Sequence, residues 1–326
     1  MKVKAISVAK TGGPEVLTLT EVDVGTPGAG EVLLRHTAIG LNYVDTYFRS
    51  GLYPAPSFPF VPGVEAAGIV EAVGPDVRLF KKGDRVAYGA GAMGAYCEMR
   101  TIPAAQLVTV PPGVDDMTAA AYLSKGMTAH ALVMSTYPVG PKDTVLVHAA
   151  AGGVGLILCE WSKHLGARVI GTVSTEAKAR LAKAHGADEV INYSEEDFVA
   201  RLRELTNGNK ATVVYDSVGK TTFLKSLDCL RPLGMMVSFG QSSGAIDPFV
   251  VNELSAKGGL YLTRPALPWY IATREALEQR ANALFEAIER GILHCTISQR
   301  FPLAEAAEAH RALGSRQTTG SSVLVP

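Results

Sequence analysis

Along residues 1 to about 124 the apolar positions come in short runs punctuated by Gly and Pro. The segments KVKAISVAK, VLTLTEV, EVLLRHTAIGLN, AAGIVEAVG and DRVAYGA carry β-branched residues between those breaks, which predicts many short strands and little helix. Strands of that kind pack as a compact barrel-like unit. From about residue 143 the rhythm changes. TVLVHAA (144–150) is the apolar run of a strand buried on both faces, and GVGLILCEWSKHLG follows with helical periodicity and a closing glycine, Gly166. ARVIGTV (167–173) predicts the next strand, and STEAKARLAKAHG a helix opened by Ser174 or Thr175 and closed by Gly186. The strand EVINY, a helix with Ser194 and Asp197 as its capping box, the strand ATVVYDSVG, the helix TTFLKSLDCLRPLG and the strand MMVSFG (235–240) continue the series. This alternation implies a parallel sheet covered by helices on both faces, the doubly wound α/β architecture. GGLYLTR (258–264) predicts one further strand, REALEQRANALFEAIERG a long helix, and the tail a strand, a helix and a strand.

Two textures in 326 residues predict two domains. Residues 125–267 are expected to form the doubly wound α/β domain, and residues 1–124 with 268–326 a mostly β domain. Hydrophobic residues make up 47% and charged residues 19%, which is too apolar for a disordered chain. Lys plus Arg and Asp plus Glu both count 31, and a formal net charge of zero argues against a general electrostatic grip on nucleic acid or an anionic membrane. No apolar run reaches the roughly 18 residues of a spanning helix, and MKVKAISVAK lacks the apolar core of a signal peptide. Cys97, Cys159, Cys229 and Cys295 are far apart with no C-x-x-C, so neither a disulfide framework nor a zinc ribbon is expected. The expectation is a cytoplasmic protein with free thiols.

HAAAGGVGLI (148–157) joins the first strand of the α/β series to its first helix, where a phosphate-binding turn has to sit. In the pattern x-x-G-x-x-G the first glycine is replaced by Ala150. Gly152 lets the backbone approach a pyrophosphate, Gly155 lets the helix pack on the strand, and the helix start at Gly153 and Val154 offers N–H groups and a dipole to the anion. A lone motif of this kind is weak, but the flanking strand, helix and second strand agree with it. A site for unphosphorylated dinucleotide usually carries an acid about 20 residues on, holding the ribose 2′-hydroxyl. Here the second strand ends at Val173 and the next residue is Ser174. Ser174 and Thr175 can donate to phosphate oxygens, and Lys178, about one helical turn on, supplies a positive charge. NADPH is therefore the expected cofactor.

The segments FPFVPGVEAAGIVEAVG, KKGDRVAY, HAAAGGVGL, GADEVINY and VVYDSVG make the whole chain resemble the medium-chain dehydrogenase/reductase superfamily. LNYVDTYFRSGLYP, SFGQSSGA and LYLTRPALPWYI make it similar to the zinc-independent, zeta-crystallin-like quinone oxidoreductases in their bacterial form. The resemblance implies a Rossmann domain plus a GroES-like, mostly β catalytic domain, with a quinone bound in the cleft between them. It departs from the alcohol-dehydrogenase relatives at their metal. Their Gly-His-Glu segment corresponds to Gly63, Val64 and Glu65, and Val64 cannot ligate. Their ligand Cys near the first long strand is matched by Asn42, and only residues 87–94 stand where the four-Cys lobe would follow Val86. A catalytic zinc site is not expected. Without a Lewis acid an alkoxide is hard to form, whereas an electron-poor quinone needs little more than alignment and a proton source.

By the same resemblance, Asn42, Asp45 and Tyr53 lie near the nicotinamide. Asn42 orients the cofactor or binds a quinone oxygen. Tyr53 stacks on the substrate or delivers a proton, or simply packs on its own domain. Asp45 reads as a structural hydrogen-bond partner, since no sequence cue raises its pKa. Thr128 is expected to begin the helix joining the domains and to reach a cofactor phosphate. Tyr193 closes the third strand near the 2′-phosphate or adenine, Ser217 ends the fourth, and Phe239 and Gly240 end the fifth, where open α/β sheets bind cofactors. Arg316 is expected at the adenosine phosphate, or else serving a helix C-terminus. The edge strand near 258–264 invites pairing, so a homodimer is expected. Rival readings are an NADPH-dependent enone or alkenal reductase, and a crystallin-like or single-stranded-RNA-binding protein that retains NADPH. Zero net charge and the lack of an aromatic-basic patch count against RNA.

Overall fold

The computed structural model describes every residue of the chain except Pro56 and Ala92. The chain divides into two compact units. One comprises residues 1–125, 271–289 and 295–326, and the other residues 126–270 and 290–294.

In the first unit the sheet has seven strands. Its order is Ile297–Pro302, Ser321–Val325, Glu31–Leu41, Ala66–Val73, Arg85–Tyr88 and Val108–Thr109, with Met99–Pro103 also paired to Glu31–Leu41. Only the first pair is parallel. Lys2–Val8 and Leu17–Asp23 form a separate antiparallel pair. The short β-branched runs between Gly and Pro are strands of this unit. Their inward positions, among them Val32, Leu34, Ile39, Leu41, Val70, Val86 and Ile102, join Tyr88 and Tyr96 in one buried core.

In the second unit six parallel strands run in the order Glu189–Asn192, Arg168–Val173, Thr144–Val147, Ala211–Asp216, Leu230–Ser238 and Tyr261–Thr263. This is the doubly wound order, with the strand direction of travel reversing between Thr144–Val147 and Ala211–Asp216. Val145, Leu146 and Val147 are fully buried, as an unbroken apolar run in a central strand requires.

Three local readings change. The helix TTFLKSLDCLRPLG is helical only over Phe223–Asp228, because the strand after it already starts at Leu230. The helix Phe198–Leu205 has Asp197 as its N-cap, accepting from Val199 N and Ala200 N; Ser194 instead donates to Ser174 O. Thr128 does not begin a helix. It lies in the last turn of Asp116–Ala131, a helix that begins within the stretch expected to be mostly strand. Among the described residues no helix is long and apolar enough to cross a membrane, and all four cysteines are free thiols.

Candidate functional site

The carboxyl ends of the parallel strands form one edge of the second unit's sheet, and most of the sequence-predicted cofactor residues gather there. After Thr144–Val147 the chain turns through Ala149, at φ 52°, into the helix Gly153–His164, whose N-cap is Gly152. Gly153, Val154 and Gly155 are the first residues of that helix, so their N–H groups have no carbonyl one turn before them. Gly155 is required by close approach: a Cβ there would stand 2.3 Å from Ala149 O and 2.9 Å from Ala150 Cα. At Gly152 a Cβ would meet only Ala149 O, at 3.2 Å, so its outer side is open to a ligand. The turn thus has the shape a pyrophosphate cradle needs.

Ser174 directly follows the strand Arg168–Val173. Thr175 caps the next helix, its hydroxyl accepting from Lys178 N at 3.3 Å, which puts Lys178 in the first turn. Tyr193 follows Glu189–Asn192, bonds through its N–H to Val173 O at 3.0 Å, and is exposed. Ser217 follows Ala211–Asp216, and Phe239 and Gly240 follow Leu230–Ser238. Phe239 N donates to Asp216 O at 2.9 Å. No acid stands at the end of Arg168–Val173, and the residues there fit a phosphorylated ribose.

Beneath this edge lies a buried polar chain that sequence reasoning missed. Asp216 Oδ1 accepts from Val218 N (2.7 Å) and Gly219 N (3.0 Å), and Oδ2 from Thr222 Oγ1 (2.7 Å) and Ser226 Oγ (3.1 Å). His148 Nε2 is 2.9 Å from Ser226 Oγ, and its Nδ1 is 2.8 Å from Thr172 Oγ1. Ser226 Oγ also lies 2.9 Å from Thr222 O, so its proton has acceptors other than His148, whose ring is held between the Ser226 and Thr172 hydroxyls. Burial holds the His148 pKa below its ordinary value, in keeping with a neutral ring. The chain ties the strand end before Ser174 to the one before Ser217.

The first unit holds the expected nicotinamide-end residues. Asn42 ends the strand Glu31–Leu41 and caps the helix Tyr43–Ser50, with Asp45 completing the capping box by accepting from Asn42 N at 2.8 Å. Asn42 Nδ2 donates to Glu65 Oε2 at 2.7 Å. Glu65 is fully buried; its Oε1 accepts from Ser124 N at 2.5 Å, and Lys125 Nζ lies 3.4 Å from Oε2 while donating to Ala121 O at 3.0 Å. Gly40 makes room for this carboxylate, since a Cβ there would stand 2.5 Å from Glu65 Oε2. Glu65 was passed over as the neighbour of a missing ligand. An acid inside the apolar run GVEAAGIV is itself a signal, because a buried carboxylate needs partners.

Asp45 is 1% exposed. Tyr96 OH donates to its Oδ2 at 3.0 Å and lies 3.0 Å from His310 Nε2, while Arg49 Nη1 is 3.3 Å from His310 Nδ1. The expectation that nothing raises the Asp45 pKa is corrected: burial pushes it up to about 7, against the opposing pull of the Asn42 N–H and Tyr96. Burial holds His310 down to about 3. Tyr53 packs edge-on against Tyr47 and Phe48, with ring centroids 5.2 Å and 5.7 Å apart. Arg316 belongs to this unit, follows the helix Ala306–Gly314 at φ 60°, and is exposed. Among the described residues no group of three or more His, Cys, Asp or Glu could hold a metal ion.

Residues 28–112 match the alcohol dehydrogenase GroES-like domain, and residues 153–272 match the zinc-binding dehydrogenase family. A quinone oxidoreductase of Pseudomonas aeruginosa is 53% identical over 323 residues, covering 99% of both chains. A 2-haloacrylate reductase of a Burkholderia species is 49% identical, again over 99% of each. The crystal structure of Escherichia coli quinone oxidoreductase complexed with NADPH superimposes with a TM-score of 0.97 at 49% identity, over 99% of this chain and 100% of that one. Fold, sequence and site chemistry agree that this chain belongs to the quinone oxidoreductases of the medium-chain dehydrogenase/reductase superfamily.

Proposed function

We propose that the protein is a metal-free NADPH:quinone oxidoreductase. The observation that carries this reading is the side-chain set of the first unit. Where metal-dependent relatives hold ligands, this chain has Val64 and the carboxamide of Asn42, bound to a buried Glu65–Lys125 pair. Such a set positions an acceptor without polarising it, which suits a quinone. Gly152, Gly153, Val154 and Gly155 would hold the pyrophosphate of NADPH, and Ser174 and Lys178 its 2′-phosphate. Thr128, Tyr193, Ser217, Phe239, Gly240 and Arg316 are proposed as further cofactor contacts. When bound, NADPH supplies the hydride. Asn42 and Tyr53 align the reactants, and Asp45 supports Asn42 through the capping box. The test is NADPH oxidation followed over several quinones; no quinone-dependent loss of NADPH would reject the reading.

The Burkholderia relative's name favours a second reading, reduction of an activated carbon–carbon double bond on the same scaffold. Competing a 2-haloacrylate and a simple enone against a quinone at fixed NADPH separates the two.

A homodimer is proposed through the second unit's edge. Tyr261–Thr263 pairs on one side only, and Tyr261 together with Val250, Val251 and Trp269 in the flanking sequence is exposed in the single chain, Trp269 by 83%. Sedimentation should give twice the chain mass, and Tyr261→Lys, at a position 57% exposed in the single chain, should give a monomer. A wild-type monomer at micromolar concentration would overturn this.

A further inference from the structure

Glu65 reaches across the first unit. Its carboxylate takes Ser124 N from the helix Asp116–Ala131 on one oxygen; on the other it takes Asn42 Nδ2 and lies near Lys125. The capping box turns the Asn42 side chain toward the Asp45 N–H as well. A carboxamide nitrogen carries two hydrogens. The Asp45 N–H itself donates to the Asn42 backbone carbonyl at 3.1 Å, so the roll of the carboxamide is set by the hydrogen that Nδ2 gives to Glu65, and the second hydrogen is carried on that same nitrogen.

We propose that Glu65 is a positioning residue for the reaction: by locking the Asn42 carboxamide it makes Asn42 a hydrogen-bond donor to a carbonyl oxygen of the bound reactants. The inference rests on the reading that Asn42 lies at the reacting end of the cofactor. Lys125 has a defined part in it. It keeps a positive charge beside the buried carboxylate, which would otherwise lack a counter-charge. The carbonyl oxygen has two sources, the nicotinamide carboxamide and the quinone, and the kinetics distinguish them. A donor to the cofactor acts on NADPH affinity. A donor to the quinone acts on quinone kcat/KM at saturating NADPH.

The test is a polarity swap. Glu65→Gln is isosteric, and its Oε1 can still serve Ser124 N. Its Nε2 then faces Asn42 Nδ2, donor against donor, and the amide has to roll away from the helix cap. Either NADPH affinity or quinone kcat/KM should fall about ten- to a hundredfold, the effect of losing one well-placed hydrogen bond. Asn42→Asp faces one carboxylate with another and should be worse at neutral pH than at low pH. The double variant Asn42→Asp/Glu65→Gln restores a carboxylate–amide pair with inverted polarity. It keeps the negative charge near Lys125 and an acceptor for the helix cap, but it has no outward hydrogen. Its Tm should return close to wild type while its kinetic defect stays within a fewfold of Asn42→Ala.

Recovery of both Tm and turnover in the double variant would overturn the proposal, because Glu65 would then be a strut and nothing more. Wild-type kinetics in Glu65→Gln would overturn it equally. Wild-type kinetics in Asn42→Ala would instead reject the underlying placement of Asn42, and the inference with it. If Glu65→Gln does not fold, the double variant against Asn42→Ala carries the same test.

Discussion

The carbonyl oxygen of Ala149 occupies the space that a side chain on Gly155 would need, 2.3 Å from the position of a Cβ. The first helix of the Rossmann unit can lie against its strand only because residue 155 has no side chain. Gly155→Ala should force the helix outward and destabilise the protein by about 1–3 kcal/mol, as overpacking does. NADPH affinity should fall with it. Gly152→Ala makes the matching contrast. Its nearest neighbour would be 3.2 Å away and the rest of its surroundings are open, so Tm should hold while NADPH binding weakens. Thermal melts and NADPH fluorescence titrations of both variants check this. Unchanged affinity in Gly152→Ala would refute the cradle.

Ser174 and Lys178 set the cofactor preference in this account. Lys178→Ala should weaken NADPH about ten- to a hundredfold and spare NADH, the effect of one charge-assisted hydrogen bond. Ser174→Asp should add repulsion against the 2′-phosphate. Kd values for both cofactors decide it, and equal wild-type affinity for NADH and NADPH would contradict the assignment.

Asp45 and two histidines of the same unit pull stability in opposite directions with pH. Burial raises the Asp45 pKa from 3.8 to about 7, so its stabilisation is complete below about pH 4 and is lost as pH rises to about 7. Burial lowers His36 from 6.5 to about 4 and His310 to about 3, so their contribution is complete above pH 6.5 and is lost as pH falls. The groups acting on Asp45 are the Asn42 N–H, the Tyr96 hydroxyl, Lys125 and Glu65, and Asp45→Asn leaves all four in place. That variant should therefore lose only the Asp45 contribution. Its Tm relative to wild type should climb between about pH 4 and pH 7 and then level off. A Tm difference that is flat across that range would show that Asp45 is an ordinary carboxylate.

The sequence was most readable where physics is local. Strands followed their β-branched runs, the phosphate turn followed its glycines, and Gly166 and Gly186 took the left-handed conformations that end helices. Ser194 was misread because a capping box and a plain Asp197 cap share the same residue types, and only the backbone separates them. The Asp216–Ser226–His148–Thr172 chain and the Glu65 cluster were invisible for a different reason. Their partners come from distant segments, as Glu65 meets Asn42 across 23 positions and Lys125 across 60. The raised Asp45 pKa is of the same kind. Burial creates it, and burial belongs to the packed unit.

Tyr53 rests on Tyr47 and Phe48, so its ring is held by its own unit whether or not a substrate is present. Tyr53→Phe keeps that packing and should retain most of kcat. Tyr53→Ala removes the ring and should chiefly raise the quinone KM. Asn42→Ala should cost more, on the order of 10²-fold in kcat/KM, through misplaced reactants. Steady-state kinetics with one simple quinone at saturating NADPH compare the three. Loss of kcat in Tyr53→Phe alone, with NADPH affinity intact, would make Tyr53 the proton donor and end the alignment account.

The proposed reaction passes reducing equivalents from NADPH to a quinone with no metal taking part. Its most direct measurement is quinone-dependent loss of NADPH absorbance by protein treated with a strong chelator, with metal content read by elemental analysis on the same sample. Turnover should be undiminished, and the sample should hold no stoichiometric zinc. Turnover that disappears on chelation and returns with zinc would contradict it.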